Sequence, residues 1–598
     1  MKERWLVGLL TAVAAVALLV GCGTAGSASG GGKYSIEAKT YPMRIQLEST
    51  KDPESTEINL YFVDGGDIPY VALSEYMPFV GGIYEDADLE IPAATYEITY
   101  PVANHTLVSR TDNSSSMDID AAADTIEFVG LDYFTATPGS TLFLSAVTIG
   151  ERGRGGVSNL LQDSGASYTR AGDALVTFDL SEYDIDLIEQ DGECYVPLQT
   201  VNDLLVSQNY VYVVWTREEV LASSYSSPLI DEMYNAPTGE MSEGFANFNY
   251  NELRFLLDTF YGLKEEHGID NFGDYFSETG LLEDLAGTDP AKFDRAIRIL
   301  TMKYFDDGHS SLAKNSYLAG EPDPDKKIDD AITLFEDLGT STDALIWATA
   351  RFKGVRAEYY PDHPELDDLQ AAAMPWFYEE VGDTAIITFD MFSVAKKDYY
   401  TGADLTNPND TIELIAYAHS QITRENSPIK NVVVDLSCNG GGTADAAVYL
   451  LAWLSSNGMA RMALRNPLTG AQSVAMYEAD INLDGEFDPD DYLDGDINRY
   501  VLMSSSSFSC GNLVPAILKG SPNVTLLGQT SGGGACVVRP CTSASGTIFT
   551  ISSPKQICSV KNGSLYHVDQ GVDPDFVLSN LETFYNREKL VEYIHQLP

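Results

Sequence analysis

Between residues 33 and about 225 the apolar positions come in short bursts of β-branched and aromatic residues. Glu57 to Val63, Ala174 to Leu180 and Asn209 to Trp215 are such bursts, punctuated by Asp-Gly or Gly-Gly turns, and they predict a β-rich region. Ile68 to Leu73 and Cys194 to Leu198 echo one another as copies of one unit. From Ser226 to Leu312 the period changes. Leu253, Leu256, Leu257, Phe260 and Leu263 recur at three- and four-residue steps and share a helix face, and Pro290 to Phe305 predicts a second helix with Gly308 as its stop. Lys326 to Arg351 also reads as helical. Further on, Ala385 to Phe389 is expected to open a sheet, and Asn431 to Leu436 reads as a buried strand ahead of a helix over Ala444 to Leu454.

Three segments of this pattern carry candidate chemistry. Tyr500 to Met503 runs into Ser504-Ser505-Ser506-Ser507-Phe508-Ser509-Cys510-Gly511-Asn512 and then the apolar stretch Leu513 to Leu518. A serine is thereby presented at a strand-to-helix junction, where the next backbone N–H and the helix N-terminus face a developing oxyanion. The same run would serve as a serine-rich helix N-cap. Asn431 to Leu436 breaks into Ser437-Cys438-Asn439-Gly440-Gly441-Gly442, whose glycines let backbone amides turn toward a bound carbonyl. The Pro290 to Phe305 helix delivers Asp307-Gly308-His309, a histidine whose alternative use is capping or packing.

Taken in order, these motifs and the Gly-Val-x-Pro-Asp of 571–575 resemble the C-terminal processing (tail-specific) and tricorn-like serine peptidases over roughly residues 240 to 598. The resemblance implies a crotonase-like α/β fold with a helical segment before the sheet. It also implies Ser509 as nucleophile, with the Cys510 N–H and that of Gly441 or Gly442 as oxyanion donors. The processing branch places a lysine where this chain has Gly534, so no Ser–Lys dyad is expected; the tricorn-like branch uses a histidine where His309 stands. A neutral imidazole suits general acid–base work near neutral pH. The tricorn type has a serine where Gly308 precedes the histidine, and its supporting glutamate aligns with Val568. Asp569, one residue on, is the carboxylate expected to orient His309. Ser507 and Cys510 are rival nucleophiles, and no stretch resembles the PDZ domain common in processing proteases.

A separate signal lies in Asp480 to Asp491. Asp480, Asn482, Asp484, Asp488 and Asp491 fall at positions 1, 3, 5, 9 and 12 of an EF-hand-type loop, with Gly485 at the bend, Glu486 beside it and Phe487 as an anchor. Aspartate at position 12 is as in dockerin-like loops. The spacing predicts structural Ca²⁺, against the plainer reading of an acidic turn in an acidic chain. No organic cofactor is expected.

Met1 to Arg4 followed by the apolar run Trp5 to Val20 reads as a cleaved signal, too short for a transmembrane helix. Leu19-Val20-Gly21-Cys22 matches a bacterial lipobox, which makes Cys22 the lipidated first residue of the mature chain and residues 23–32 a flexible tether. The chain is then anchored at the extracytoplasmic face of a bacterial membrane. With 36 Lys and Arg against 89 Asp and Glu, the net charge of −53 argues against a nucleic-acid partner. The six remaining cysteines, at 194, 438, 510, 536, 541 and 558, form no disulfide framework or zinc spacing, with Cys536–Cys541 pairing and free thiols both open.

The organisation expected is a signal peptide (1–21), a tether (22–32), a β-rich stalk-like region (33–225), a helical segment carrying His309 (226–375) and an α/β peptidase core with the calcium loop inserted (376–598). The residues of 194–198 also resemble, weakly, the stalk module of copper amine oxidases, which implies a spacer or docking module and no copper chemistry. The expected activity is hydrolysis of peptide or protein substrates; a peptide- or wall-binding relative without turnover, and an acyl hydrolase of other specificity, are the alternatives.

Overall fold

The computed structural model describes residues 33–47, 52–85, 91–138, 160–170, 175–224, 227–322, 341–360, 377–396, 398–561 and 563–598. At its centre a six-stranded sheet runs in the order Phe377–Val381, Thr384–Thr388, Asn431–Asp435, Asn498–Met503, Val524–Gly528, Phe576–Val577. The first pairing is antiparallel and the others are parallel. Parallel strands need crossover connections that cover both faces, which is why Val432, Val433 and Val434 form one apolar run. Ile386, Val433, Leu502 and Leu527 face Phe352, Phe584 and Leu590, whereas Ile387, Val434, Val501 and Leu526 face Ile415, Leu451 and Val514. The sheet opens one strand earlier than Ala385, because Phe377–Val381 folds back on Thr384–Thr388.

Register decides where chemistry can sit. Asp435 lies opposite Thr388 on one side and Leu502 on the other, so three neighbouring strands end at one edge. The turns that follow them, 389–392, 437–442 and 504–509, therefore lie side by side at the carboxyl ends of parallel strands.

The β-rich region builds a seven-stranded and a five-stranded sheet. Its two echoed segments are neighbours: Tyr70–Ala72 pairs antiparallel with Glu193–Pro197, and each strand runs directly into a helix, Leu73–Gly82 and Leu198–Val201. The region is not set apart from the rest. Its Leu161–Arg170 strand pairs with Ala471–Ala479, and one hydrophobic core joins residues from Met43 to Leu318 with Cys536, Cys541, Ile548, Phe549 and Ile551.

The first predicted helix forms as Glu243–Phe260, which starts earlier and ends before Leu263, and Ala444–Leu454 has the predicted bounds. Pro290–Ile299 continues through the wider turn Leu300–Phe305 and stops at Asp306, whose φ of 45° supplies the left-handed residue expected at Gly308. The helix predicted over Lys326 to Arg351 is described as Ser341–Tyr359, and 326–340 lies outside the described residues. So do the signal peptide, Cys22 and the tether. Among the described residues no helix is long and apolar enough to cross a membrane, and all six cysteines are free and buried.

Candidate active site

Asn498–Met503 is fully buried beyond its first residue and ends where the serine-rich turn begins. Within that turn most hydroxyls are consumed internally. Ser507 donates to the Leu436 carbonyl (2.7 Å) and accepts from the Ser504 N–H (3.0 Å), so this rival nucleophile is tied down and fully buried. Ser509 differs: it is half-buried and caps the Cys510–Leu518 helix with φ 53° and ψ −121°, a sparsely populated conformation for a residue with a side chain. Such strain, about 1–3 kcal/mol, persists only where surrounding bonds over-determine it. Here the Ser509 N–H is held by the Gly533 carbonyl (2.9 Å) and the Phe508 N–H by the Asn439 carbonyl (3.0 Å). Burial pushes the Cys510 thiol up to about 12, which leaves it protonated and a poor nucleophile.

His309 reaches this turn across Phe508. The imidazole and phenyl centroids are 4.9 Å apart, and the phenyl ring lies between Gly308 and Gly534. A Cβ at Gly308 would stand 2.5 Å from that ring, and one at Gly534 2.6 Å from it. Gly308 is thus an accommodation of Phe508. The space a lysine at 534 would need is filled by the same ring, and the φ of +84° at Gly534 disfavours any side chain there.

Two carboxylates bear on the histidine. Asp307 accepts from the His309 N–H (3.0 Å), the Ser310 N–H (2.8 Å), Ser552 Oγ (3.0 Å) and Tyr261 Oη (3.0 Å), which fixes the loop that carries the ring. Asp569 accepts from the Ala535 N–H (2.9 Å), and its own N–H donates to His567 Nδ1 (3.4 Å). Burial lowers the His309 pKa, and the charges of Asp307 and then Asp569 oppose the shift. Among the described residues no hydrogen bond joins the His309 ring to Ser509 or to Asp569. Sequence reasoning passed over Asp307, although it stands inside the Asp-Gly-His motif.

On the oxyanion side, the Gly441 N–H donates to Asn439 Oδ1 (3.0 Å) and is occupied. The Gly442 and Cys510 N–H groups have no hydrogen-bond acceptor among the described residues. The Cys510 N–H follows Ser509 directly in the chain, and the Ser509 side chain packs against Gly441, the residue before Gly442. Of the two glycines expected to share the role, Gly442 is the one with a free donor, because the buried Asn439 side chain spends Gly441 on bracing the turn.

The acidic loop follows the Ala471–Ala479 strand and precedes Asn498–Met503, the strand that leads to this site. Asp480 is fully buried and accepts from the Gly485 N–H (2.8 Å) and Tyr400 Oη (2.7 Å); Asp491 accepts from the N–H groups of Ile481 (2.6 Å), Asn482 (3.1 Å) and Asp488 (3.1 Å). Asp484 accepts from the Glu486 N–H (2.9 Å) and Asp488 from the Asp490 N–H (2.8 Å). With the carboxylates turned onto the loop's own amides, no three His, Cys, Asp or Glu side chains among the described residues stand together as a metal-holding group. Ile481, which is buried, anchors the loop in place of the half-buried Phe487. His419 and Tyr449 clamp it from behind through the carbonyls of Asp490 (2.8 Å) and Asp480 (2.9 Å).

No curated protein is significantly similar to the chain in sequence. In structure the chain is similar to a candidate peptidase from Parabacteroides merdae (16% identity, 58% of this chain and 95% of that chain covered, TM-score 0.40). It is similar also to a lipoprotein from Streptococcus agalactiae (13%, 60% and 97%, TM-score 0.34) and to the tricorn protease (12%, 94% and 60%, TM-score 0.31). Residues 385–578 match peptidase family S41. That span holds the parallel strands, the glycine turn and the serine at the helix N-terminus, and it is a peptidase S41 domain, of the C-terminal processing peptidase family of serine-type peptidases.

Proposed function

We propose that the protein is an endopeptidase working by a Ser509–His309 mechanism and held at the extracytoplasmic face of a bacterial membrane by lipid on Cys22. Ser509 Oγ attacks the scissile carbonyl carbon while its proton passes to the neutral His309 ring. The oxyanion is received by the N–H groups of Cys510 and Gly442. The imidazolium then protonates the leaving amine, and water hydrolyses the acyl-enzyme by the same proton path in reverse. Asp307 and Asp569 stabilise the imidazolium by charge. The observation that carries this reading is Ser509's strained backbone, which presents its hydroxyl beside two unspent backbone donors while every rival is tied down or protonated.

A fluorophosphonate probe tests it. Labelling is expected on Ser509, absent from Ser509→Ala, and slowed by at least ~100-fold in His309→Ala, the usual range for loss of a general base. The second reading, a peptide-binding relative without turnover, draws on the missing His309–Ser509 hydrogen bond; apo geometry of this kind often tightens only with substrate bound. A folded wild-type protein that took no label would favour it. For anchoring, Cys22→Ser should block incorporation of a fatty-acid analogue, and continued labelling of that variant would overturn the lipid assignment.

Calcium in the 480–491 loop belongs to the same proposal. The sequence suits the ion, with oxygen donors at the required positions and Gly485 making the bend with φ +88°, and binding would require the carboxylates to turn from the loop's own amides toward it. Asp480 and Asp491 are buried without an ion-pair partner among the described residues, and burial pushes Asp491 up to about 6. Asp480 Oδ1 and Asp491 Oδ2 each accept a single amide N–H and retain a second lone pair for a cation. The ion would supply the positive charge these side chains lack and stiffen the strand that presents Ser509.

A further inference from the structure

The oxyanion glycines do not hold their own shape. The backbone strip 389–392, just past the Thr384–Thr388 strand, templates them through four hydrogen bonds. Asn439 Nδ2 donates to the Phe389 carbonyl (3.1 Å), the Gly440 N–H to that of Asp390 (3.0 Å), the Phe392 N–H to that of Gly441 (2.7 Å), and the Thr443 N–H to that of Phe392 (2.9 Å). Contact is so close that a Cβ at Gly442 would lie 2.1 Å from the Phe392 oxygen. The position of the strip therefore sets the direction of the Gly442 N–H.

What holds the strip is charge from a separate element. Arg356, on the Ser341–Tyr359 helix, grips Asp390 with two parallel bonds of 2.7 Å each, and Lys353 approaches the same carboxylate at 3.4 Å. Both members of the pair are buried, with side-chain exposures of 1% for Arg356 and 9% for Asp390. A fork of this kind fixes orientation as well as distance. About two turns before Arg356 on the same helix, Thr349 Oγ1 donates to Ser506 Oγ (2.8 Å), within the serine turn that ends at Ser509. A single helix thus grips both halves of the oxyanion hole, one through Asp390 and the other through Ser506.

We infer that Arg356, Asp390 and Thr349 are positioning residues of the oxyanion hole, and that seating of the Ser341–Tyr359 helix sets its competence. This rests on the Ser509 mechanism proposed above. The guanidinium charge is matched by Asp390, so its contribution is geometric. A misplacement of ~1 Å at a reacting centre costs on the order of 100-fold in rate, and loss of an oxyanion donor costs ~100- to 1,000-fold.

The test uses full-length protein, fluorescein-labelled casein as substrate and a fluorophosphonate as active-site titrant. Arg356→Ala is expected to lower kcat and the labelling rate by ~100-fold and Arg356→Lys by ~10-fold, the lysine retaining charge without the fork. KM, the labelled fraction at completion and the pH midpoint of the rate should stay at wild-type values, and added guanidinium should restore part of the Arg356→Ala rate. Thr349→Val, which removes a hydroxyl without baring a buried charge, should show a smaller loss of the same kind and serves if Arg356→Ala fails to fold. The inference is overturned if the wild type labels and these variants label at its rate. It is equally overturned if their loss follows a reduced labelled fraction or a raised KM. A wild-type protein that takes no label sinks the Ser509 mechanism instead, which separates the two failures.

Discussion

The packing of Phe508 between Gly308 and Gly534 makes Gly308→Ser a sharp perturbation. The introduced Cβ would stand 2.5, 2.8 and 3.0 Å from three atoms of the phenyl ring. Ordinary carbon contacts are ~3.5–4.0 Å, so the ring must retreat by about 1 Å. It cannot retreat toward Gly534, where it is equally close, and it is followed in the chain by Ser509 and packed at a tilt against His309. Overpacking of this size costs ~1–3 kcal/mol, and a ~1 Å displacement at the reacting groups costs up to ~100-fold in rate. Gly308→Ser should accordingly take a fluorophosphonate ~10- to 100-fold more slowly than wild type and melt a few degrees lower. Phe508→Leu, which shortens the ring position, should be mildly slow alone but should recover most of the loss when combined with Gly308→Ser. The cycle should then show a coupling of ~0.5–3 kcal/mol between the two sites. Rates come from in-gel fluorescence against time, and stability from thermal melts of the four proteins. A Gly308→Ser protein that labels at the wild-type rate, or a double variant no faster than Gly308→Ser alone, would refute the argument that the ring dictates glycine at 308.

The remaining expectations follow from charge and burial. Because burial lowers the His309 pKa, the acid limb of the labelling rate should have its midpoint below the ordinary imidazole value of ~6.5; a midpoint above that value would contradict the desolvated site. The same shift enters stability with a definite sign: the unfolded chain takes up the proton first, so the contribution is complete above ~6.5 and is lost as pH falls through the lowered folded pKa. Calcium added to metal-free protein at ~100 times its Kd should stabilise by ~2.7 kcal/mol, visible as a higher Tm that Asp480→Ala abolishes; an unmoved wild-type Tm counts against the site. Iodoacetamide at pH 8 should leave activity intact, since the Cys510 thiol is held at about 12, and rapid inactivation through Cys510 would reopen its candidacy as nucleophile. Arg587→Ala, which strands the buried Asp435 carboxylate 2.8 Å away, should cost ~3–5 kcal/mol in chemical denaturation; a loss under ~1 kcal/mol would show that Asp435 finds another partner.

The elements of the peptidase domain were legible in the sequence because their signals are local. A buried parallel strand reads as an apolar run, as in Val432-Val433-Val434, and a glycine cluster or serine run at its end marks the turn. Strand, turn and helix in succession marked the serine run, the glycine turn and His309 as candidates, and it was the order of the motifs, through their family resemblance, that pointed to Ser509 and His309. What the sequence could not show was which groups are already spent. Gly441 and Gly442 are equivalent as letters, yet Asn439 takes the amide of one and leaves the other free. Gly308 reads as a helix stop, but Asp306 performs that task and Gly308 answers to Phe508, 200 positions away along the chain. The Arg356–Asp390 fork likewise depends on a helix meeting the end of a strand across a chain separation of 34 residues. Local pattern is written by backbone preference and burial period, which act over a few residues. The occupancy of each donor and the clearance around each ring are settled by sheet register and by how separate elements close on one another, and these exist only in the folded chain.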